Sequence, residues 1–145
     1  MFTNILVGLD GSQSSLRALE HAIDLARPSG AKLTLMTVAP PVATYVTLGG
    51  VSIETMSAEL DKWAANVLDE AARTIPPEVT ANKVQGSGHA GPEILKELKR
   101  GGYDLIVLGT RGRGRTQEGL LGSVNGYIHF HAQIPLLSVP DKPDD

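Results

Sequence analysis

Short aliphatic runs alternate with longer amphipathic ones along this chain, and that alternation limits the folds open to it. NILVGL (4–9) is apolar and closes on Asp10-Gly11-Ser12, which predicts a buried strand ending in a turn. Leu16, Leu19, Ile23 and Ala26 then recur at helical spacing, with Ser12 as expected N-cap and Gly30 as expected stop. KLTLMTV (32–38) predicts a second strand, ended by Pro40-Pro41, and 40–52 reads as a longer loop. Ile53, Met56, Leu60, Trp63, Val67, Ala71 and Ile75 make the longest helical stripe, stopped by Pro76-Pro77. VTANKVQ (79–85) alternates like a third strand. Pro92 opens a third helix, with Ile94, Leu95 and Leu98 inward and Gly101-Gly102 as its end. DLIVL (104–108) is the fourth strand, a short helix follows Gly122, and PLLSV (135–139) is the last strand.

Strands that alternate with helices need crossover connections. The expected fold is therefore α/β: one doubly wound, Rossmann-like, five-stranded parallel sheet with helices on both faces. In such sheets ligands bind beyond the carboxyl ends of the strands, where the strand order reverses. If strands one and four are neighbours there, Asp10-Gly11, Val38-Ala39-Pro40 and Gly109 share one crevice. The chain has 145 residues, enough for one domain spanning 1–145 with a real core. A net charge of −3 excludes a general polycation, so no nucleic-acid partner is expected and any basic site is local. There is no cysteine, which removes disulfides and thiolate chemistry and is compatible with a reducing cytoplasm, the expected location. MFTNILVGLDGS has no basic n-region or long apolar stretch, and no window approaches a membrane span.

Several motifs fail on inspection. No lysine follows a glycine at the spacing GxxxxGK[ST], and there is no GxSxG elbow. Gly86, Gly88 and Gly91 form a GxGxxG, but the next strand ends in Leu108-Gly109 rather than an acidic residue, and Asp104 stands at its wrong end. A glycine-rich turn before Pro92 is the better reading. Four histidines offer no metal pattern: His129 and His131 are two apart on a predicted helix, His21 is on the first helix and His89 in a loop. Arginine alternating with glycine is a feature of RNA-binding tracts, but this one has no neighbouring aromatics and sits in an acidic chain.

The stretch GTRGRGRTQEGLLGS (109–123) remains, spaced Gly-x2-Gly-x9-Gly-Ser through Gly109, Gly112, Gly122 and Ser123. Glycines at 109 and 112 let a ligand approach the backbone, and Gly122-Ser123 opens a helix whose free N–H groups and dipole favour phosphate. Together with NILVGLDGS and the closing IPLLSV, this segment resembles the universal stress protein family, in its ATP-binding branch, over nearly the whole chain. The resemblance implies the adenine nucleotide alpha hydrolase-like variant of the expected fold. It implies that Gly122, Ser123 and Val124 hold the β- and γ-phosphates, and that Gly109 and Gly112 lie along ribose and α-phosphate. The carboxylate of Asp10 would face the nucleotide or its divalent cation (Mg or Mn), and the backbone of Val38 would read the adenine edge. Arg111 is included as a candidate phosphate contact; Arg113 and Arg115 are either solvated or phosphate clamps. ATP is the implied ligand, with AMP or a cyclic nucleotide left open. The resemblance also implies a homodimer through the last strand, Pro135, Leu136, Leu137, Ser138 and Val139. Asn125 departs from the small hydroxyl or alanine usual in the family, and Gly126 is a poor helix former. The expected function is an ATP-binding stress-response regulator without a catalytic residue. A slow ATPase or nucleotide transferase is the alternative, and a nucleotide-free dimeric interaction module is the third reading.

Overall fold

The structure, a computed structural model, describes residues 1–43, 52–110 and 123–141. Five strands, β1 (Asn4–Gly8), β2 (Lys32–Ala39), β3 (Ala81–Ser87), β4 (Leu105–Gly109) and β5 (Leu136–Val139), form one sheet in the order β3-β2-β1-β4-β5. Every pairing is parallel, and β1 lies directly against β4 with Val7 opposite Val107. The order reverses between those two strands, which meets the condition for their ends to share one crevice.

Four helices are described: α1 (Gln13–Ser29), α2 (Ile53–Ala72), α3 (Ala90–Gly101) and α4 (Ser123–His131). Strand alternation splits the core in two. Ile5, Val7, Leu33, Leu35 and Val107 pack in one cluster with Leu19 and Ile23 of α1 and Leu68 of α2. Leu6, Met36, Val38, Ile106 and Leu108 pack in the other with Ile94 of α3 and Ile128 of α4. The central strands are buried on both faces, which is why they read as unbroken apolar runs.

Ser12 caps α1 as expected, its hydroxyl accepting from the Ser15 N–H at 3.2 Å, and Gly30 ends the helix in the left-handed conformation. Other boundaries differ. Leu16 is 39% exposed and Ile53 61%, so neither belongs to the core. The buried face of α2 is Leu60, Ala64, Leu68 and Ala71, with Trp63 and Val67 at its margin. This helix stops at Ala72, before Pro76-Pro77, because Thr74 and Ile75 already turn back onto Ala71 and Ala72. The third strand begins at Ala81, two residues later than the alternation suggests. Val79 is apolar because it caps the α1/α2 cluster from a turn closed by its N–H to Pro76 O at 3.0 Å.

Candidate functional site

The carboxyl ends of β1, β2 and β4 diverge around a cavity of about 300 Å³, the low end of the range for small-molecule sites. Leu9 and Asp10 follow β1 into it, Met36 to Val38 come from β2, and Leu108 and Gly109 from β4. The first turn of α4 brings Ser123, Val124 and Asn125, the start of α3 brings His89 and Ala90, and α2 brings Trp63.

The turn after β1 is built by its serines. Asp10 Oδ1 accepts from the Ser12 N–H at 2.9 Å, and the Asp10 N–H donates to Ser15 Oγ at 3.3 Å. Gly11 between them has φ +83°, the left-handed region where a side chain is strained. Asp10 is therefore held at the crevice in one orientation, and it is the one carboxylate lining the cavity among the described residues. No described lysine or arginine lines it.

Gly109 has a packing reason for being glycine in addition to any ligand role. A Cβ there would overlap Ser14 of α1, whose hydroxyl donates to Val139 O at 3.2 Å. The helix thus closes directly onto the ends of β4 and β5.

On β2, the ladder toward β1 stops with Gly8 opposite Met36 and the Leu9 N–H donating to Met36 O at 2.8 Å. Val38 lies beyond that point, on the open side of the strand.

A model of the universal stress protein family matches residues 1–140. The chain belongs to the universal stress protein family. Among its relatives is the universal stress protein YxiE of Bacillus subtilis, 32% identical, with 96% of this chain and 99% of YxiE covered. Among solved structures, the universal stress protein UspA from Lactobacillus plantarum aligns with a TM-score of 0.76 and 26% identity, over 94% of this chain and 97% of that one. Another universal stress protein, solved in complex with cAMP, aligns with a TM-score of 0.64 and 25% identity over 97% and 98% of the two chains.

Of the site residues expected from the sequence of this family member, Asp10, Val38, Gly109, Ser123 and Val124 meet around the one cavity. Arg111, Gly112 and Gly122 lie outside the described residues. Asn125, the departure from the family pattern, is buried. Its amide nitrogen donates to Gly109 O and to Ser138 Oγ, both at 3.1 Å, and its Oδ1 accepts from Ser138 at 3.3 Å. It ties the start of α4 to the ends of β4 and β5 and secures the helix that borders the cavity.

Sequence reasoning missed Trp63, Thr37 and the placing of His89. A tryptophan at helical spacing reads as core, and here it is also the wall of a cavity. His89 is the N-cap of α3, without a side-chain capping bond, at the cavity rim. Thr37 could have been noticed as a polar residue near the end of an otherwise apolar strand. The GxGxxG is a turn and a packing contact. Gly88 has φ +124°, and a Cβ on Gly91 would come within 2.9 Å of the Tyr127 ring. His131 lies against Tyr127, the ring centroids 4.3 Å apart and the planes tilted by 42°, and no group of three or more potential metal ligands exists among the described residues. The buried carboxylate of Glu97 is engaged by Arg100 at 2.7 Å and by the Tyr103 hydroxyl at 2.7 Å, away from the crevice.

Proposed function

We propose that the crevice binds an adenine nucleotide, ATP together with a divalent cation, and that the bound nucleotide acts as a signal. The observation that carries this reading is the convergence of Asp10, Val38, Ser123 and Val124 on one cavity at the switch point. The relative in complex with cAMP supports an adenine nucleotide in this family member too. The polarity suits the ligand. The β2 side offers apolar walls and the strand edge at Val38 for a base, and the N-terminus of α4 favours phosphate. AMP or a cyclic nucleotide would meet the same base and ribose contacts.

The cation fits only in a limited sense. Asp10 is one carboxylate, and the described residues build no metal cage of their own. A magnesium or manganese ion would be held by Asp10 and the phosphates together, the usual arrangement for magnesium in nucleotide sites. The ion would neutralise phosphate charge; the chain's own part is to hold Asp10 in place through Ser12 and Ser15.

Hydrolysis is expected to be slow, on the order of one turnover per minute or less, against roughly 1–100 per second for kinases. No described lysine or arginine lines the cavity, and Asp10 is committed to the cation, so no described carboxylate is left to orient a nucleophile. The protein acts as a homodimer through β5. That strand is at the sheet edge, and Leu137 is 36% exposed, an edge that favours pairing with a second copy. Sedimentation at micromolar concentration checks this, a 15.3 kDa species being the contrary result.

The test of the nucleotide reading is mass spectrometry of small molecules released by denaturing the purified protein, followed by equilibrium binding of ATP. Release or micromolar binding of an adenine nucleotide supports it. No release and no binding of ATP, AMP or cAMP overturns it.

A further inference from the structure

The only tryptophan of the chain stands at the crevice. Trp63 is also the one tryptophan, tyrosine or phenylalanine that lines the cavity among the described residues. It is partly buried, packed on a cluster of Ala39, Leu60 and Ala64. Two of those three are alanines, and a leucine at 63 would cover them. The indole is larger than that packing asks for, so part of its flat apolar surface is left for something else.

The course of α2 says where that surface lies. The parallel strands β2 and β3 are joined through α2, so the helix starts at the carboxyl edge of the sheet and runs back toward the amino edge. Trp63 and Val67, four residues apart, share one side of it. Val67 packs at the turn after β1: a Cβ on Gly11 would lie 3.8 Å from Val67 Cγ2. Trp63 is about 6 Å nearer the helix start, which carries it past the strand ends on that same side. There it packs on Ala39, the last residue of β2, and borders the cavity that Pro40 and Pro41 also line. The start of α4, which favours phosphate, meets the cavity with β4, two strand positions and roughly 10 Å from β2. One end of the crevice therefore suits a flat ring and the other suits phosphate, and Trp63 is at the ring end.

On the reading of this crevice as an adenine-nucleotide site, we infer that the base of the nucleotide stacks on the indole of Trp63. An aromatic face reads a flat ring rather than a pattern of donors and acceptors, so Trp63 supplies affinity for the ring and leaves the choice among bases to polar groups such as the backbone at Val38. Because the contact is with the base, its contribution is the same for AMP as for ATP, and phosphate alone cannot make it. With one tryptophan in the chain, the indole emission of the protein reports this contact directly.

Calorimetry of ATP and AMP with the parent, Trp63→Leu and Trp63→Phe, alongside indole emission of the parent during the same additions, tests this. Both nucleotides should change the parent's emission, with midpoints that match the calorimetric affinities, and inorganic tripolyphosphate should leave it unchanged. Trp63→Leu keeps apolar cover over Ala39 and Ala64 but has no flat ring, and it should bind ATP and AMP more weakly by the same factor, roughly tenfold. Trp63→Phe should recover most of that loss. Parent-like affinity in Trp63→Leu overturns the inference, as does an equal loss in Trp63→Phe or a loss for ATP without one for AMP. Should Trp63→Leu fail to fold, the parent decides: nucleotide binding without a change in emission, or the same change with tripolyphosphate, overturns the stack. A parent that binds neither nucleotide in calorimetry overturns the adenine-nucleotide reading itself, and this inference with it.

Discussion

Strands β1 and β4 run side by side, and their two ends treat an aspartate in opposite ways. At the amino ends, Asp104 accepts from the Thr3 N–H at 2.9 Å, the Thr3 hydroxyl at 3.0 Å and the Asn4 N–H at 3.0 Å, while its own N–H donates to Asn4 O at 2.9 Å. Burial pushes the Asp104 carboxyl up, but the hydrogen bonds from Thr3 and Asn4 outweigh it and hold the group below the usual carboxylate range. At the carboxyl ends the strands part, and Asp10 borders a cavity of about 300 Å³. A carboxylate wrapped by its own chain closes the sheet. One steadied by a single turn at a diverging edge is placed for a ligand. Strand ends of the same sheet thus divide into a sealed, structural edge and an open edge that carries the proposed site.

The largest expected effect would break the open edge. If Gly122 holds phosphate as proposed, Gly122→Val would put a branched side chain in its way, and ATP binding should fall below detection in calorimetry, with folding intact by circular dichroism. Equal affinity in variant and parent would remove Gly122 from the site.

Next in size is damage to the sealed edge. Asp104→Ala removes three hydrogen bonds to a half-buried carboxylate, and urea unfolding should show a loss of about 1–2 kcal/mol. ATP affinity should stay the same. The pH dependence has a fixed sign. Because folding lowers the Asp104 pKa, its contribution is complete above the ordinary carboxylate range near about pH 4 and fades as pH drops through the lowered value. Asp104→Ala should flatten the acid limb of the stability profile; an unchanged limb would mean that Asp104 carries none of it.

The smallest effect sharpens the contrast. Asp10→Asn keeps an oxygen for the Ser12 N–H, so stability should hardly move. ATP binding in magnesium should weaken roughly five- to tenfold, or about 1–1.4 kcal/mol, and less in EDTA. The same loss in both conditions would remove the cation from the role of Asp10.

The open edge was more legible in the sequence than the details around it. β1 and its Asp10-Gly11 turn, the parallel sheet, and the candidate crevice at the ends of β1, β2 and β4 follow from short apolar runs separated by helical stripes, while the placing of Ser123 there came only through the family resemblance. Those patterns are set by burial, which the sequence records directly. Leu16 and Ile53 misled because helical spacing marks a stripe but not its exact rotation, and small residues, Ala18, Ala22 and Ala64, take the buried positions instead. Val79 misled because a turn residue can be as buried as a strand residue. Asn125 looked like a defect in the motif and is a cross-link between α4, β4 and β5. Trp63 and Thr37 were invisible as crevice residues, since a wall and a core look alike until the neighbouring element is placed. The arginines at 111, 113 and 115 lie outside the described residues.

The contrast between the two edges can be read in one titration. Amide signals of isotope-labelled protein, followed as ATP and magnesium are added, report where the ligand sits. The account predicts large shifts at Asp10, Val38, Ser123 and Val124, and unchanged signals at Thr3, Asn4 and Asp104. Shifts centred on the amino-terminal edge, or none at saturating ATP, would contradict it.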